Sequence, residues 1–136
     1  MKQISGGVTA AKGFCAASTA AGIKYKERKD MALIFSKTPC KAAGTFTTNI
    51  VKAAPVKWDQ KIVAESACAH AVVVNAGIAN ACTGQEGMDY CSQTADHAAE
   101  LLKIPADSVL VASTGVIGMQ LPMERIKDGV SAMVPE

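Results

Sequence analysis

Residues 71–114 read AVVVNAGIANACTGQEGMDYCSQTADHAAELLKIPADSVLVAST, and this stretch decides the architecture. Ala71–Asn75 (AVVVN) and Val109–Ser113 (VLVAS) are short continuous apolar runs that end in polar, Gly-rich turns. That is the pattern of buried strands covered on both faces. Between them, Thr83-Gly-Gln-Glu86 has capping-box spacing, in which a Thr hydroxyl and a Glu carboxylate satisfy free backbone donors at a helix start. Met88, Cys91, Ala95, Ala98, Ala99 and Leu102 then fall on one helical face. Pro105 lies just beyond, where the helix has to stop. The stretch is therefore expected to run strand, helix, strand, with His97 near the polar face as a surface histidine.

Working outward, Pro122 occupies an allowed first-turn position of another helix, whose apolar positions are Met123, Ile126, Val130 and Met133. A shorter helix is expected over Gln60–Ser66 with Asp59 as its N-cap. Its turn into the strand Ala71–Asn75 passes His70, read as a strand-edge residue. Met31–Ser36 (MALIFS) and Thr45–Thr48 (TFTT) read as two strands joined by a turn. Lys24–Asp30 (KYKERKD) holds both signs of charge and reads as a solvated turn, since a functional basic patch needs a block of like charge. Early strands followed by strand–helix–strand–helix predict an α+β fold, or a layered α/β sandwich. No repeat or linker divides the chain, so residues 1–136 form a single domain. The end at Val134-Pro-Glu136 follows a helix without an obvious cap and reads as a truncation, which makes the domain an incomplete segment.

Composition narrows the class. Hydrophobic residues make up 49% and charged residues 19%, which excludes a disordered chain. Aromatics are only 4%, while 24 Ala and 11 Gly make the core one of small and aliphatic side chains. Such residues bury little apolar area each, so the isolated segment is expected to be marginally stable and poorly soluble. The formal charge of +2, from 14 basic and 12 acidic residues, is too balanced for a nucleic-acid footprint. No apolar run is long enough to span a membrane, and the N-terminus lacks a signal-peptide core. Cys15, Cys40, Cys68, Cys82 and Cys91 are odd in number and form no CxxC pair, which argues against a disulfide framework and a zinc site. Reduced thiols suit a cytoplasmic protein. His70 and His97 stand alone, so no metal or other cofactor is expected.

The chemistry concentrates at three Gly/Thr/Asn clusters at predicted strand ends: Gly44–Asn49 with Val51–Val56, Asn75–Gly84, and Ser113–Gly118. Each can be read as a turn, because Gly and Asn supply left-handed backbone in any loop. The third also has a specific chemical reading. Thr114 offers a hydroxyl donor and Gly115 a backbone N–H, and a residue without a side chain lets a substrate approach its amide. Two such donors at the end of a rigid strand make an oxyanion hole. A hole needs a nucleophile, and the chain presents no Ser-His-Asp or comparable arrangement.

The strings in series carry a resemblance that none carries alone. Gly7-Val-Thr-Ala-Ala-Lys-Gly-Phe14, Gly44-Thr-Phe-Thr-Thr-Asn49 with Lys52-Ala-Ala-Pro-Val56, Val74–Gly84 (VNAGIANACTG) and Val109–Gly118 (VLVASTGVIG) with Leu121-Pro-Met123 occur in that order. The chain closely resembles, over essentially its whole length, the N-terminal part of the ornithine acetyltransferase (glutamate N-acetyltransferase) family of arginine biosynthesis. The resemblance implies a layered sandwich similar in plan to N-terminal-nucleophile hydrolases. It implies a precursor that cuts itself at an Ala-Thr bond into α and β chains, joined as a hetero-oligomer, with the new N-terminal Thr of the β chain as nucleophile. The substrates so implied are N-acetylornithine and glutamate, with acetyl-CoA as a further donor in bifunctional members. Thr114 and Gly115 match the family's oxyanion-stabilising positions. The sequence departs from the family at Ala11, where Pro is usual, and at Ala76 and Ile78 within the NSGNANACTG string. No Ala-Thr junction occurs within the 136 residues, so the nucleophile is expected outside this chain and the chain alone is expected to be inactive. Two other readings remain open on the residues: a self-cleaving aminopeptidase of similar fold, and a non-catalytic module that binds small anions at its Gly-rich strand ends.

Overall fold

The computed structural model describes residues 5–66 and 68–134. The proposed truncation at Pro135–Glu136 lies outside them. Four strands form one sheet in the order β1 (Phe14–Thr19), β2 (Met31–Cys40), β3 (Ala69–Ile78) and β4 (Val109–Val116). The first three are antiparallel neighbours, and β3 and β4 are parallel. Parallel neighbours cannot be joined by a hairpin. Helix α2 (Gly84–Leu102) supplies the crossover between β3 and β4. Helix α1 (Ala54–Glu65) lies between β2 and β3 in the chain, and α3 (Met123–Met133) follows β4. The fold is α+β, a mixed sheet with three helices, as the order of patterns predicts.

The core lies between the sheet and the helices. Leu33, Ala71, Val73, Val109 and Val111 face the helices and are fully buried. Against the first four pack Ala95, Ala98 and Ala99 of α2 and Ile126, Val130 and Met133 of α3, while Val111 clusters with Ala54 and Cys91. The expected faces of both helices are therefore the buried ones. Small α2 side chains let the helix sit close to the sheet, and branched residues from β2 to β4 fill the layer between. The opposite sheet face is less covered. Ile34, Val72, Val74, Leu110 and Ala112 are half-buried, and the described residues place no helix over them. This corrects the expectation of strands covered on both faces. Each strand alternates buried and half-buried residues, as a sheet with one helical layer does.

Four local expectations also change. Thr45–Thr48 is not a strand: residues 41–49 have no regular structure, and the antiparallel partners of β2 are β1 and β3. The threonines of Thr45–Thr48 suggested a strand, while edge-strand β1, FCAAST, buries too little to show a strong apolar run. The first helix starts six residues before Gln60, at Ala54, with Pro55 in its opening turn, where no N–H is needed. Asp59 is therefore inside α1 and not its cap. Thr83 is the N-cap residue of α2 but makes no capping hydrogen bond; its hydroxyl donates to Asn80 Oδ1 at 2.7 Å. Pro122 is the N-cap of α3 rather than its first helical residue.

The outer edge of β4 is closed by side chains of α1. Trp58 Nε1 donates to the Val109 carbonyl at 3.0 Å, and Asp59 Oδ1 accepts from the Val111 amide at 2.9 Å. Two consecutive helical residues thus stand in for the missing neighbour strand, covering groups that would otherwise invite pairing with another chain. Burial in this position pushes the Asp59 carboxyl up to about 6, against a smaller opposing effect of the Val111 hydrogen bond. The neighbouring Cys91 thiol is pushed up to about 12, first by burial and then by the charge of Asp59. It is a neutral core group at physiological pH, not a nucleophile.

Candidate functional site

The parallel pairing of β3 and β4 brings two of the three clusters together. Asn75 lies opposite Ser113, Ala76 opposite Thr114, and Gly77 opposite Gly115. Beyond the strands the chain stays joined, with Ala79 N donating to Val116 O and Gly118 N to Ala81 O, both at 2.9 Å. The first cluster divides. Its second half reaches the site's flank, where Ala54 N donates to Asn80 O at 3.2 Å. Its first half, Gly44–Asn49, is largely exposed and contributes nothing to the junction.

Most polar groups of the second cluster are consumed internally. Asn75 is buried; its Nδ2 donates to Ile78 O at 2.9 Å, and its Oδ1 accepts a short hydrogen bond from Ser113 Oγ. Asn80 is only 1% exposed, donates to Gly87 O at 2.7 Å and accepts from Thr83 Oγ1. These amides tie the turn after β3 to the first turn of α2. A buried amide left unpaired costs about 1–3 kcal/mol, so both sites require their partners. Among the described residues, every buried side-chain nitrogen and oxygen has one.

The end of β4 is different. Thr114 and Gly115 are both exposed, at the last turn of the pleat before Val116. Gly115 has φ +135°, and a Cβ added there would lie 2.3 Å from Gly77 C and 2.4 Å from Gly77 O. Only glycine allows the two backbones to approach this closely. Ser113, bonded to Asn75 beneath, holds the pair from the helix side. A rigid strand end thus presents an exposed hydroxyl beside a residue without a side chain.

An open cleft of about 320 Å³ lies against this strand end. Ala76, Gly77, Gly115 and Val116 form one wall, and the turn Lys24–Asp30 forms the other. Lys24–Lys29 is solvated, as the mixed charges predict, whereas Asp30 at its end is buried, and the position of the turn was not legible in its charges. His70 and His97 lie elsewhere. His70 Nδ1 donates to Ser36 O at 3.1 Å, and His97 Nε2 meets Ser131 Oγ at 2.9 Å, joining α2 to α3. Among the described residues no three His, Cys, Asp or Glu side chains gather as a metal site would require. Among the described residues no helix is long and apolar enough to cross a membrane.

A one-sided α+β sheet whose strand β4 ends in an exposed Thr-Gly pair defines a class of fold and not a particular protein. Comparison with known proteins narrows it: residues 15–136 match the ArgJ family, and the chain belongs to that family. It is 51% identical over 124 residues to the arginine biosynthesis bifunctional protein ArgJ of Thermotoga neapolitana, covering 90% of this chain and 31% of that protein. Identity to the protein of the same name from Gloeobacter violaceus is 50% over 131 residues, or 96% of this chain and 32% of that one. The chain thus spans about a third of the curated relatives it matches. The crystal structure of ArgJ from Bacillus halodurans superposes with a TM-score of 0.90 at 44% identity, covering 96% of this chain and 68% of that one. Ornithine acetyltransferase from Mycobacterium tuberculosis, solved in complex with ornithine, superposes with a TM-score of 0.90 at 46% identity, covering 94% of this chain and 69% of that one.

Proposed function

We propose that this chain is the N-terminal segment of a glutamate N-acetyltransferase, which moves an acetyl group from N-acetylornithine to glutamate in arginine biosynthesis. The observation that carries the reading is the exposed Thr114–Gly115 pair at the end of β4, in a chain that shares its fold with an ornithine acetyltransferase. The nucleophile is a threonine outside these 136 residues, freed as the N-terminus of a β chain by cleavage at an Ala-Thr bond. Its own α-amino group, with an ordinary pKa of about 7.7–8.0, takes the hydroxyl proton. The hydroxyl oxygen attacks the acetyl carbonyl, and the carbonyl oxygen becomes an oxyanion that accepts from Thr114 Oγ–H and Gly115 N–H. Collapse breaks the amide C–N bond, the ammonium proton passes to the leaving amine, and ornithine departs. The neutral amine of glutamate then attacks the acetyl-Thr ester, giving N-acetylglutamate and the free hydroxyl. Acetyl-CoA enters at the same nucleophile where a member is bifunctional. Without the β chain this segment is inactive, and the whole enzyme is cytoplasmic.

The reading frame, followed past codon 136, is expected to reach an Ala-Thr junction. Its full-length product should transfer acetyl with parallel-line kinetics in N-acetylornithine and glutamate, the pattern of two half-reactions through one covalent intermediate. Mass spectrometry of the enzyme with N-acetylornithine alone should find one acetyl group on a threonine. Intersecting kinetics with no acetylated peptide would sink the covalent route. Release of amino acids from peptides instead would place the chain with self-cleaving aminopeptidases, and anion binding without any transfer would make it a binding module.

A further inference from the structure

We infer that the turn Lys24–Asp30 is an anion-recruiting rim of the cleft at Gly115, one that draws in the carboxylate-rich acceptor in preference to the zwitterionic donor. The inference rests on the acetyl-transfer reading and adds to it a role for residues that reading does not use.

Four features separate this turn from an ordinary solvated loop. First, it is seated on the strand end. A Cβ at Gly77 would come within 3.0 Å of Lys24 Cβ, so the bare glycine is what admits the turn there. Second, it is pinned from below. Both oxygens of buried Asp30 are occupied, accepting from Ala21 N and Ile23 N at 2.7 Å each, and Asp30 O accepts from Ala76 N at 2.8 Å. Third, its cations are organised. Lys24 Nζ and Arg28 Cζ lie 5.0 and 5.9 Å from the centroid of the Tyr25 ring, which holds two positive heads over one aromatic surface. Fourth, Lys24, Arg28 and Lys29 share the cleft wall opposite Gly115.

The charge balance favours an anion. Lys24, Lys26, Arg28 and Lys29 stand against Glu27 and Asp30, so this one turn carries the same net charge, +2, as the entire chain. Lys29 Nζ donates to Ser18 Oγ at 3.0 Å, which leaves Lys24 and Arg28 as the heads most free to meet a ligand. Glutamate has one more carboxylate than ammonium groups, whereas the carboxylate of N-acetylornithine is balanced by its side-chain ammonium. A cationic rim on a concave site raises the local concentration of the first and leaves the second nearly unaffected, and the effect fades with salt.

The test uses the full-length enzyme and a Lys24→Glu/Arg28→Glu double variant. At low ionic strength its kcat/KM for glutamate should fall about tenfold, with kcat retained. Salt should depress kcat/KM for glutamate in the wild type and raise it in the variant, whose turn goes from a net +2 to −2 and repels the anion until screened. The value for N-acetylornithine should move less than about twofold. A charge-keeping swap, Lys24→Arg/Arg28→Lys, should restore the wild-type salt dependence. Glutarate supplies a readout without chemistry: its binding, followed by the amide resonances of Gly77 and Gly115, should weaken about tenfold in the double variant. Equal glutarate affinity in both proteins, absence of binding from both, or a matching loss of kcat/KM for both substrates would overturn the rim. Should the wild type transfer no acetyl while glutarate binding still depends on Lys24 and Arg28, the rim stands and the transferase reading falls.

Discussion

Strands β3 and β4 run side by side in register and both end in a polar residue, a small or hydroxyl residue and a glycine: Asn75-Ala-Gly77 and Ser113-Thr-Gly115. In the first, the polar groups are buried and matched, Asn75 with Ile78 and Ser113, and Asn80 beyond it with Gly87 and Thr83. In the second, Thr114 and Gly115 are open to solvent. Similar composition therefore serves opposite ends. A buried amide must find partners inside the protein, and the turn after β3 uses its asparagines to lock the crossover helix in place. An exposed hydroxyl has no such obligation and remains available to a substrate. The lower strand end is the scaffold on which the upper one is presented.

The largest effect should come from forcing the two ends apart. Gly115→Ala places a Cβ inside the Gly77 peptide and demands φ +135° of an L-residue, which should cost about 3 kcal/mol or more and abolish turnover together with it. Thermal melts and acetyl-transfer assays of the intact enzyme would show both; a variant of unchanged stability would mean the two strand ends can separate. Thr114→Ala should break only the open end. Turnover should fall about a hundred- to a thousand-fold with KM little changed and the melting point preserved, since the hydroxyl is solvent-exposed. Unchanged turnover would remove Thr114 from the mechanism.

Asn80→Ala should do the reverse, lowering stability by about 1–3 kcal/mol in denaturant titrations while kcat per folded molecule stays near wild type. Equal losses of stability and of kcat would show that the buried end feeds directly into the chemistry. The smallest effect lies at the clasp on the edge of β4. Asp59 is raised when folded, from an ordinary 3.8 to about 6, so the folded state holds its proton more tightly than the unfolded one. The protonated carboxyl favours folding, and that contribution is present below about pH 4 and lost as pH rises through about 6. Asp59→Asn keeps an acceptor for Val111 and removes the titration. The variant's melting temperature should therefore gain on the wild type between pH 4 and 7; a constant difference across that range would detach Asp59 from the pH response.

Much of the layout was legible. The apolar runs at Met31, Ala71 and Val109 are strands, and the periodicities after Thr83 and Pro122 are helices with the expected faces inward. These signals survive because each depends on burial along a single element. What failed depended on partners distant in sequence. The β1 strand, at an edge, buries too little to stand out. Asp59 looked like a cap because its true partner, the Val111 amide, is 52 residues away. Thr83 and Glu86 had the right spacing for a capping box, but the Thr83 hydroxyl donates to Asn80 Oδ1 and accepts from no helix N–H.

By itself, then, the sequence determined the class of fold, the helical faces, the family resemblance and Thr114–Gly115 as a candidate donor pair. All of these follow from local periodicity or from motifs whose residues are adjacent in the chain. Tertiary structure alone decided that Asn75 would brace Ser113, that Trp58 and Asp59 would close the edge of β4, and that the turn at Lys24 would pack on Gly77 and share a cleft with Gly115. The reason is physical: hydrogen bonds, close backbone approach and electrostatic fields act across space, and a crossover connection brings together residues that the chain keeps far apart.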